Sequence, residues 1–513
     1  MNPPPEAFSD YDLDVLIIGA GFSGIYQLYK CRLLNLRAKI FEAGSDLGGV
    51  WYWNCYPGAR VDVPVPSYEF TLREIWEDWW WTERYPGQEE IRAYFAHVEK
   101  KLDIKKDCML RMDYSAIKVS GNMPRFRFQA VYSRHPQPLL VPWILWCTSH
   151  CAMAARGCGH QGQTCRGYWH WCLGVQIVQT LSKTAQKMTV FQRTPNLAMP
   201  MRQTRLDRET QDKEKHLYPI LHRRKRQTAE ILRCFAGRTP PAPRGLWKTG
   251  GFSYIFENFN DVLTNRAANE EVYAFWRDKV RERIKDAELR EKLAPNIPIH
   301  AMGAKRSSLE MDYYDVYNQS NVELVDVNSN SIVEITPNGI RTEDGREHEL
   351  DLLVLATGFD SVTGGITNIN IVGTDGISIK EKWKDGIHTY LGLGCAGFPN
   401  LFFVHGPQSP TAVCIGPTCS VSIGISSSSE LSRSGAQETE GDWIAECIRV
   451  MTTNNLARIE PTREAEIGWR EEVMKEASTR LINTAKSWYR GANVPGNPFN
   501  HPEPSESELI FAM

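Results

Sequence analysis

The run Asp14-Val15-Leu16-Ile17-Ile18 stops at Gly19-Ala20-Gly21-Phe22-Ser23-Gly24, and a second run, Lys39-Ile40-Phe41, ends in Glu42. A strand, a glycine turn, a helix and a second strand capped by a carboxylate make the fingerprint of a dinucleotide-binding unit. The glycines permit a tight turn and let backbone N–H groups approach a pyrophosphate at the positive end of the helix. Glu42 lies about 20 residues beyond the glycines, where an acid accepts hydrogen bonds from a ribose diol. Gly19, Gly21, Phe22, Ser23, Gly24 and Glu42 are therefore candidate cofactor contacts. A GxGxxG pattern alone is also met as a plain turn in other α/β proteins; the strand before it and the acid after it give it weight.

A chain of 513 residues exceeds one ordinary core, so two or three domains are expected. With 42% hydrophobic and 23% charged residues the composition is that of a soluble globular protein. A net charge of -2 gives no footprint for nucleic acid or an anionic membrane. No apolar stretch is long enough to span a bilayer, and the Pro-rich, acidic start does not read as a secretion signal. The basic run His222 to Arg226 reads as a solvated helix face. Thirteen cysteines, an odd count without a CxxC pair, point to reduced thiols and a cytoplasmic location.

Along the chain, residues 12 to about 72 read as the first βαβ unit with its following loop. Ile91, Phe95, Val98 and Leu102 recur at helical spacing and predict a helix over 88–102. Met188 to Phe191 is a short strand; 204–295 is charged and helical, with Val272, Trp276, Val280 and Ile284 on one face. Strands follow at Val322–Val325, Ile340–Thr342 and Leu350–Leu355, with an Asp344-Gly345 turn between the last two, then a buried strand at Leu401–Val404. A helix near 440–452 and a Trp/Gly/Pro-rich tail close the chain.

The stretch Gly48-Gly49-Val50-Trp51-Tyr52-Trp53-Asn54-Cys55-Tyr56-Pro57-Gly58-Ala59-Arg60-Val61-Asp62 is far more particular than GxGxxG. It resembles the flavin loop of Baeyer–Villiger monooxygenases. The segments 190–196, 303–306, 356–360, 406–410, 416–419 and 487–493 match the same family in the same order. The resemblance implies FAD and NADPH as cofactors, O2 and a small-molecule ketone as substrates, and insertion of one oxygen atom beside the carbonyl through a C4a-peroxyflavin. It also implies cofactor contacts from Gly49, Val50, Trp51, Asn54, Asp62 and Tyr68. Arg306 is assigned the fixed cation that keeps the peroxide anionic, a role suited to a guanidinium charged at any working pH, and Asp62 its orienting partner. An isolated arginine is more often a surface or ion-pair residue; its place in Gly-Ala-Lys-Arg gives it the catalytic reading.

Arg193 follows a strand where a nicotinamide domain holds the adenosine ribose; an arginine there suits the 2′-phosphate of NADP. Thr194 and Lys305 are further phosphate donors by resemblance, and Trp488 the indole against NADP or else a core aromatic. The tryptophans of 76–81 read as packing. A second glycine fingerprint is required about 20 residues before Arg193. The chain has Gly167-Tyr168-Trp169-His170-Trp171-Cys172-Leu173-Gly174 there. Read one base later, permitted codons for this stretch give Gly-Ile-Gly-Thr-Gly-Ala-Ser-Gly, so a frameshift over roughly 134–174 is inferred. The interleaved Cys and His residues of 147–172 lack metal-site spacing, and no metal is assigned.

The expected fold is α/β: two dinucleotide-binding, Rossmann-like domains with a helical insertion. Its parts are a first FAD segment over 1–140, an NADP domain over 141–350 with a helical excursion at 204–295, and a second FAD segment over 351–513. Residues 420–437 form a low-complexity insertion in the last part. Three other activities stay open: an N- or S-oxygenating flavin monooxygenase, a flavin disulfide reductase disfavoured by the lack of a redox cysteine pair, and an impaired flavin-binding relic. The substrate ketone and the oligomeric state are not legible.

Overall fold

The computed structural model describes residues 13–112, 116–118, 164–169, 171–219, 243–259, 261–356, 363–409, 436–485 and 487. The first unit forms as its pattern requires. Strands Val15–Ile18 and Ala38–Glu42 pair in parallel, and Cys108–Leu110 adds on the far side of Ala38–Glu42. Between the first two runs the helix Phe22–Leu33, which buries Ile25, Leu28 and Cys31. It stops at Asn35, whose left-handed φ of 55° ends the helical path while Leu36 N–H bonds to Cys31 O at 3.0 Å.

A second parallel sheet has the order Leu352–Ala356, Thr164–Trp169, Lys187–Gln192, Val322–Asp326. The helix Trp171–Leu181 follows its Thr164–Trp169 strand and buries Val175, Ile177 and Val178. An antiparallel meander of Ile332–Thr336, Gly339–Thr342 and Glu347–Glu349 lies, in sequence, between Val322–Asp326 and Leu352–Ala356. The run expected as one strand over Leu350–Leu355 is thus interrupted. Leu350 N–H closes the meander on Asn338 O at 3.0 Å, and the parallel strand begins only at Leu352. This sheet runs through Ala356.

Leu401–Val404 is not a strand, against the expectation. The segment is flanked by Asn400 and His405, both at φ 61°, and Phe403 N–H bonds to Leu393 O in a loop–loop contact. Its apolar character has another cause: Phe403 packs on Trp383, 5.8 Å between ring centroids, in a second core with Trp469 and Val473. Those last two belong to the helix Arg463–Ser478, for which the apolar pattern gave no expectation.

The helix expected over 88–102 is found at Gln88–Leu102, burying Ile91, Phe95 and Val98. In the helical excursion Arg266–Arg281 buries Val272, Trp276 and Val280, with Ile284 just beyond its end. Trp79 and Trp81 pack edge-on at 5.4 Å, as the packing reading of that cluster requires. Early and late segments of the chain come together. Strand Asn370–Val372 pairs with Ala116–Lys118, and helix Ala436–Thr453 lies on Phe22–Leu33. Tyr26 Oη donates to Asp442 at 2.8 Å, and Thr71 N–H donates to Glu438 at 2.9 Å.

Candidate active site

The glycine turn leads straight into the helix Phe22–Leu33, so the first helical N–H groups face the turn. A methyl group on Gly24 would lie 1.9 Å from Gly19 O; only glycine lets helix and strand approach this closely. At Gly19 the same construction meets open space, which leaves the turn accessible to a ligand. Glu42, buried at the end of its strand, accepts from Ala20 N–H at 2.7 Å and Gly44 N–H at 2.6 Å. Each oxygen retains a lone pair for a diol. The flavin loop is tied to this turn by Gly48 N–H on Ala20 O, 2.9 Å. Trp51 is buried and donates from Nε1 to Tyr68 Oη at 2.9 Å, whereas Val50 is exposed. Asn54 ends the short helix Val50–Trp53. These groups fit a dinucleotide such as FAD.

Asp62 and Arg306, 244 residues apart in sequence, meet: Nε and Nη2 of Arg306 both donate to Asp62 Oδ2, at 3.0 and 2.7 Å. The Arg306 side chain is 10% exposed and that of Asp62 23%. Burial pushes the Tyr68 phenol well above its ordinary value; the Trp51 hydrogen bond opposes this, Asp62 adds to it and Arg306 opposes it. The Tyr68 hydroxyl therefore stays protonated beside the pair. Two further residues border Arg306 that sequence reasoning missed. The Phe252 ring lies 5.2 Å from the guanidinium carbon, a cation–π contact delivered by the helical excursion. His405 is half-buried with its Nε2 shielded from water, and desolvation, then the nearby Arg306 charge, lowers its pKa to about 4, so it is neutral at pH 7. The Gly250-Gly251 pair before Phe252 was the available signal for the first; nothing in sequence marks the second.

Thr194, Asn196, His300, Lys305, Arg306 and Ser307 border one shallow cleft. Burial, then the charge of Arg193, lowers the Lys305 pKa to about 8. Burial likewise lowers His300 to about 4, with the Ala301 carbonyl opposing and the Lys305 charge assisting. Arg193 follows the strand Lys187–Gln192 and is exposed. Thr194, Lys305 and Arg306 are thus brought together, with Arg193 within electrostatic reach. This cationic end suits a phosphate-bearing nucleotide. The turn of that unit does not: Thr164–Trp169 ends on one indole residue and Trp171–Leu181 starts on another, where glycines would serve. Trp488, His170 and residues 420–435 lie outside the described residues, as do His222 to Arg226 and most of 134–174. Among the described residues no three His, Cys, Asp or Glu side chains converge as metal ligands. No helix among them is long and apolar enough to cross a membrane.

Two dinucleotide folds that meet at a partly buried guanidinium–carboxylate pair suit an oxidoreductase using a flavin and a nicotinamide nucleotide. A family model for the NAD(P)-binding Rossmann-like domain matches residues 17–79. Cyclopentanone 1,2-monooxygenase of Comamonas sp. is 39% identical over 94% of this chain and 90% of its own. Phenazine N-monooxygenase PhzNO1 of Lysobacter antibioticus is 31% identical over 94% and 91%. The crystal structure of OTEMO in complex with FAD and NADP superposes with a TM-score of 0.79 at 29% identity, covering 93% of this chain and 92% of that one. This chain belongs to the Baeyer–Villiger monooxygenases, FAD-dependent enzymes with two Rossmann-like domains.

Proposed function

We propose that this protein is an FAD- and NADPH-dependent monooxygenase that inserts one oxygen atom of O2 beside the carbonyl of a small-molecule ketone, giving an ester or lactone. The observation that carries the reading is the Asp62–Arg306 pair beside the flavin loop. FAD, once reduced by NADPH, supplies the activation of O2; the chain supplies charge, orientation and exclusion of water. Arg306 provides a permanent positive charge, which favours an anion over its protonated form. Asp62 fixes the plane of the guanidinium and leaves its remaining donor edge for other contacts. His405, neutral at pH 7, adds no second cation. Gly19, Gly21, Phe22, Ser23 and Gly24 cradle the flavin pyrophosphate and Glu42 the ribose, with Gly49, Val50, Trp51, Asn54 and Tyr68 along the flavin loop. Arg193, Thr194 and Lys305 hold the phosphate end of NADPH.

The turn at Trp169 and Trp171 implies weak hold of the NADPH pyrophosphate, in line with a frameshift over 134–174. Arg306→Ala should keep FAD while ester formation from a panel of ketones falls roughly a hundredfold or more. Ester formation retained in that variant would overturn the assignment. The phenazine relative favours a second reading, oxygenation at nitrogen; N-oxide from a nitrogen heteroaromatic with no ester from any ketone would select it.

A further inference from the structure

The two nucleotide folds also touch outside the Asp62–Arg306 pair, and there the approach is unusually close. Gln176, buried in the helix Trp171–Leu181, reaches across to the flavin loop. Its Oε1 accepts from Tyr56 Oη at 2.8 Å, and its Nε2 donates to Arg60 O at 3.1 Å. Between these contacts Gly58, at φ 83°, faces the same helix. A methyl group there would lie 2.5 Å from Gln176 O and 2.3 Å from Thr180 Oγ1. The helix backbone therefore rests on the loop itself, with no side chain of residue 58 between them. Arg60 is in turn anchored by Glu83 Oε2 and Tyr85 O, both at 2.8 Å. Asp62 follows two residues later and carries Arg306.

We infer that Gln176 is a positioning residue: it sets the register between the helix that opens the nicotinamide-nucleotide fold and the flavin-loop segment 56–62. An amide suits this task because it accepts from one partner and donates to the other, so a shift of the helix in either direction breaks one bond. Hydride transfer between two bound cofactors depends steeply on their separation, and a 1 Å misplacement can cost about a hundredfold. The inference rests on the proposed use of FAD and NADPH, and the test separates the two.

The experiment compares the full-length, FAD-loaded protein with Gln176→Leu, which keeps the bulk and loses both bonds, and with Tyr56→Phe. FAD content should be unchanged in both variants. Under anaerobic conditions the limiting rate of flavin reduction by NADPH should fall roughly tenfold or more in Gln176→Leu, with little change in the NADPH concentration giving half that rate. Reduction by dithionite and reoxidation by O2 should not change. Hydrogen exchange at the amides of Ala59 to Val61 should rise in both variants, and combining them should add nothing further. An unchanged limiting rate with unchanged exchange overturns the inference. So does a loss seen only in half-saturation, which would make Gln176 a nucleotide contact instead. If NADPH fails to reduce the unaltered protein, the turn at Trp169 and Trp171 and not the register accounts for it, and the exchange result alone decides the register.

Discussion

Replacing Glu440 with glutamine should make this protein lose less stability as pH rises from about 4.5 to about 7. Glu440, 6% exposed, lies in the helix Ala436–Thr453, and its carboxylate accepts from His405 N–H at 2.5 Å and Ser409 Oγ at 2.9 Å. Burial raises its pKa from 4.5 to about 7, with the two hydrogen bonds pulling the other way. Both donors are neutral, and His405, at about 4, carries no charge at pH 7. In the unfolded chain the carboxyl ionises near its ordinary value; in the folded one it holds its proton some 2.5 units longer (about 7 minus 4.5). The stabilising contribution of the protonated form is therefore complete below about pH 4.5, declines as pH rises, and is gone above about pH 7. At about 1.4 kcal/mol per unit the loss is about 3 kcal/mol. A glutamine side chain cannot ionise, so the variant lacks this loss. Its amide nitrogen cannot accept a hydrogen bond, which adds a fixed offset, so the slope with pH carries the test. Thermal unfolding of the flavin-loaded protein, followed by flavin fluorescence at several values between about pH 5 and pH 8, should show Glu440→Gln gaining on the unaltered protein by about 2 kcal/mol or more as pH rises. A difference that stays flat, or shrinks with rising pH, refutes the burial account of Glu440.

Two further outcomes can be measured directly. Lys305 loses its proton above about pH 8, so NADP should bind progressively more weakly there, by up to about tenfold per pH unit; Lys305→Met should bind weakly at pH 7 and lose this dependence. Titration of the oxidised protein with NADP at several pH values reads both, and a flat profile for the unaltered protein removes Lys305 from the phosphate site. The double variant Trp169→Gly with Trp171→Gly should raise the rate of NADPH-driven flavin bleaching roughly tenfold or more, since backbone can then approach a pyrophosphate. No gain in stopped-flow reduction would reject the indoles as the obstacle.

Much of this protein is legible in its sequence alone. The glycine turn, the strand ahead of it and Glu42 after it are readable because a phosphate-binding turn permits few residues at few positions. The helix at 88–102 and the helical face carrying Val272, Trp276 and Val280 follow from apolar period alone. Arg193 is readable from its place after a strand, whereas Arg306, Asp62, Thr194 and Lys305 come from resemblance, not from spacing. Leu401–Val404 misleads because an apolar run records burial and not pairing: Phe403 is buried against Trp383 without strand partners. What only the tertiary structure decides is who meets whom. No local pattern joins Asp62 to Arg306, Gln176 to Tyr56, or Phe252 and His405 to the guanidinium. A sequence encodes propensity over a few residues, while contacts between distant segments depend on how two sheets and a helical excursion pack. The burial that lifts Glu440 to about 7 and lowers Lys305 to about 8 exists only once that packing has removed them from water.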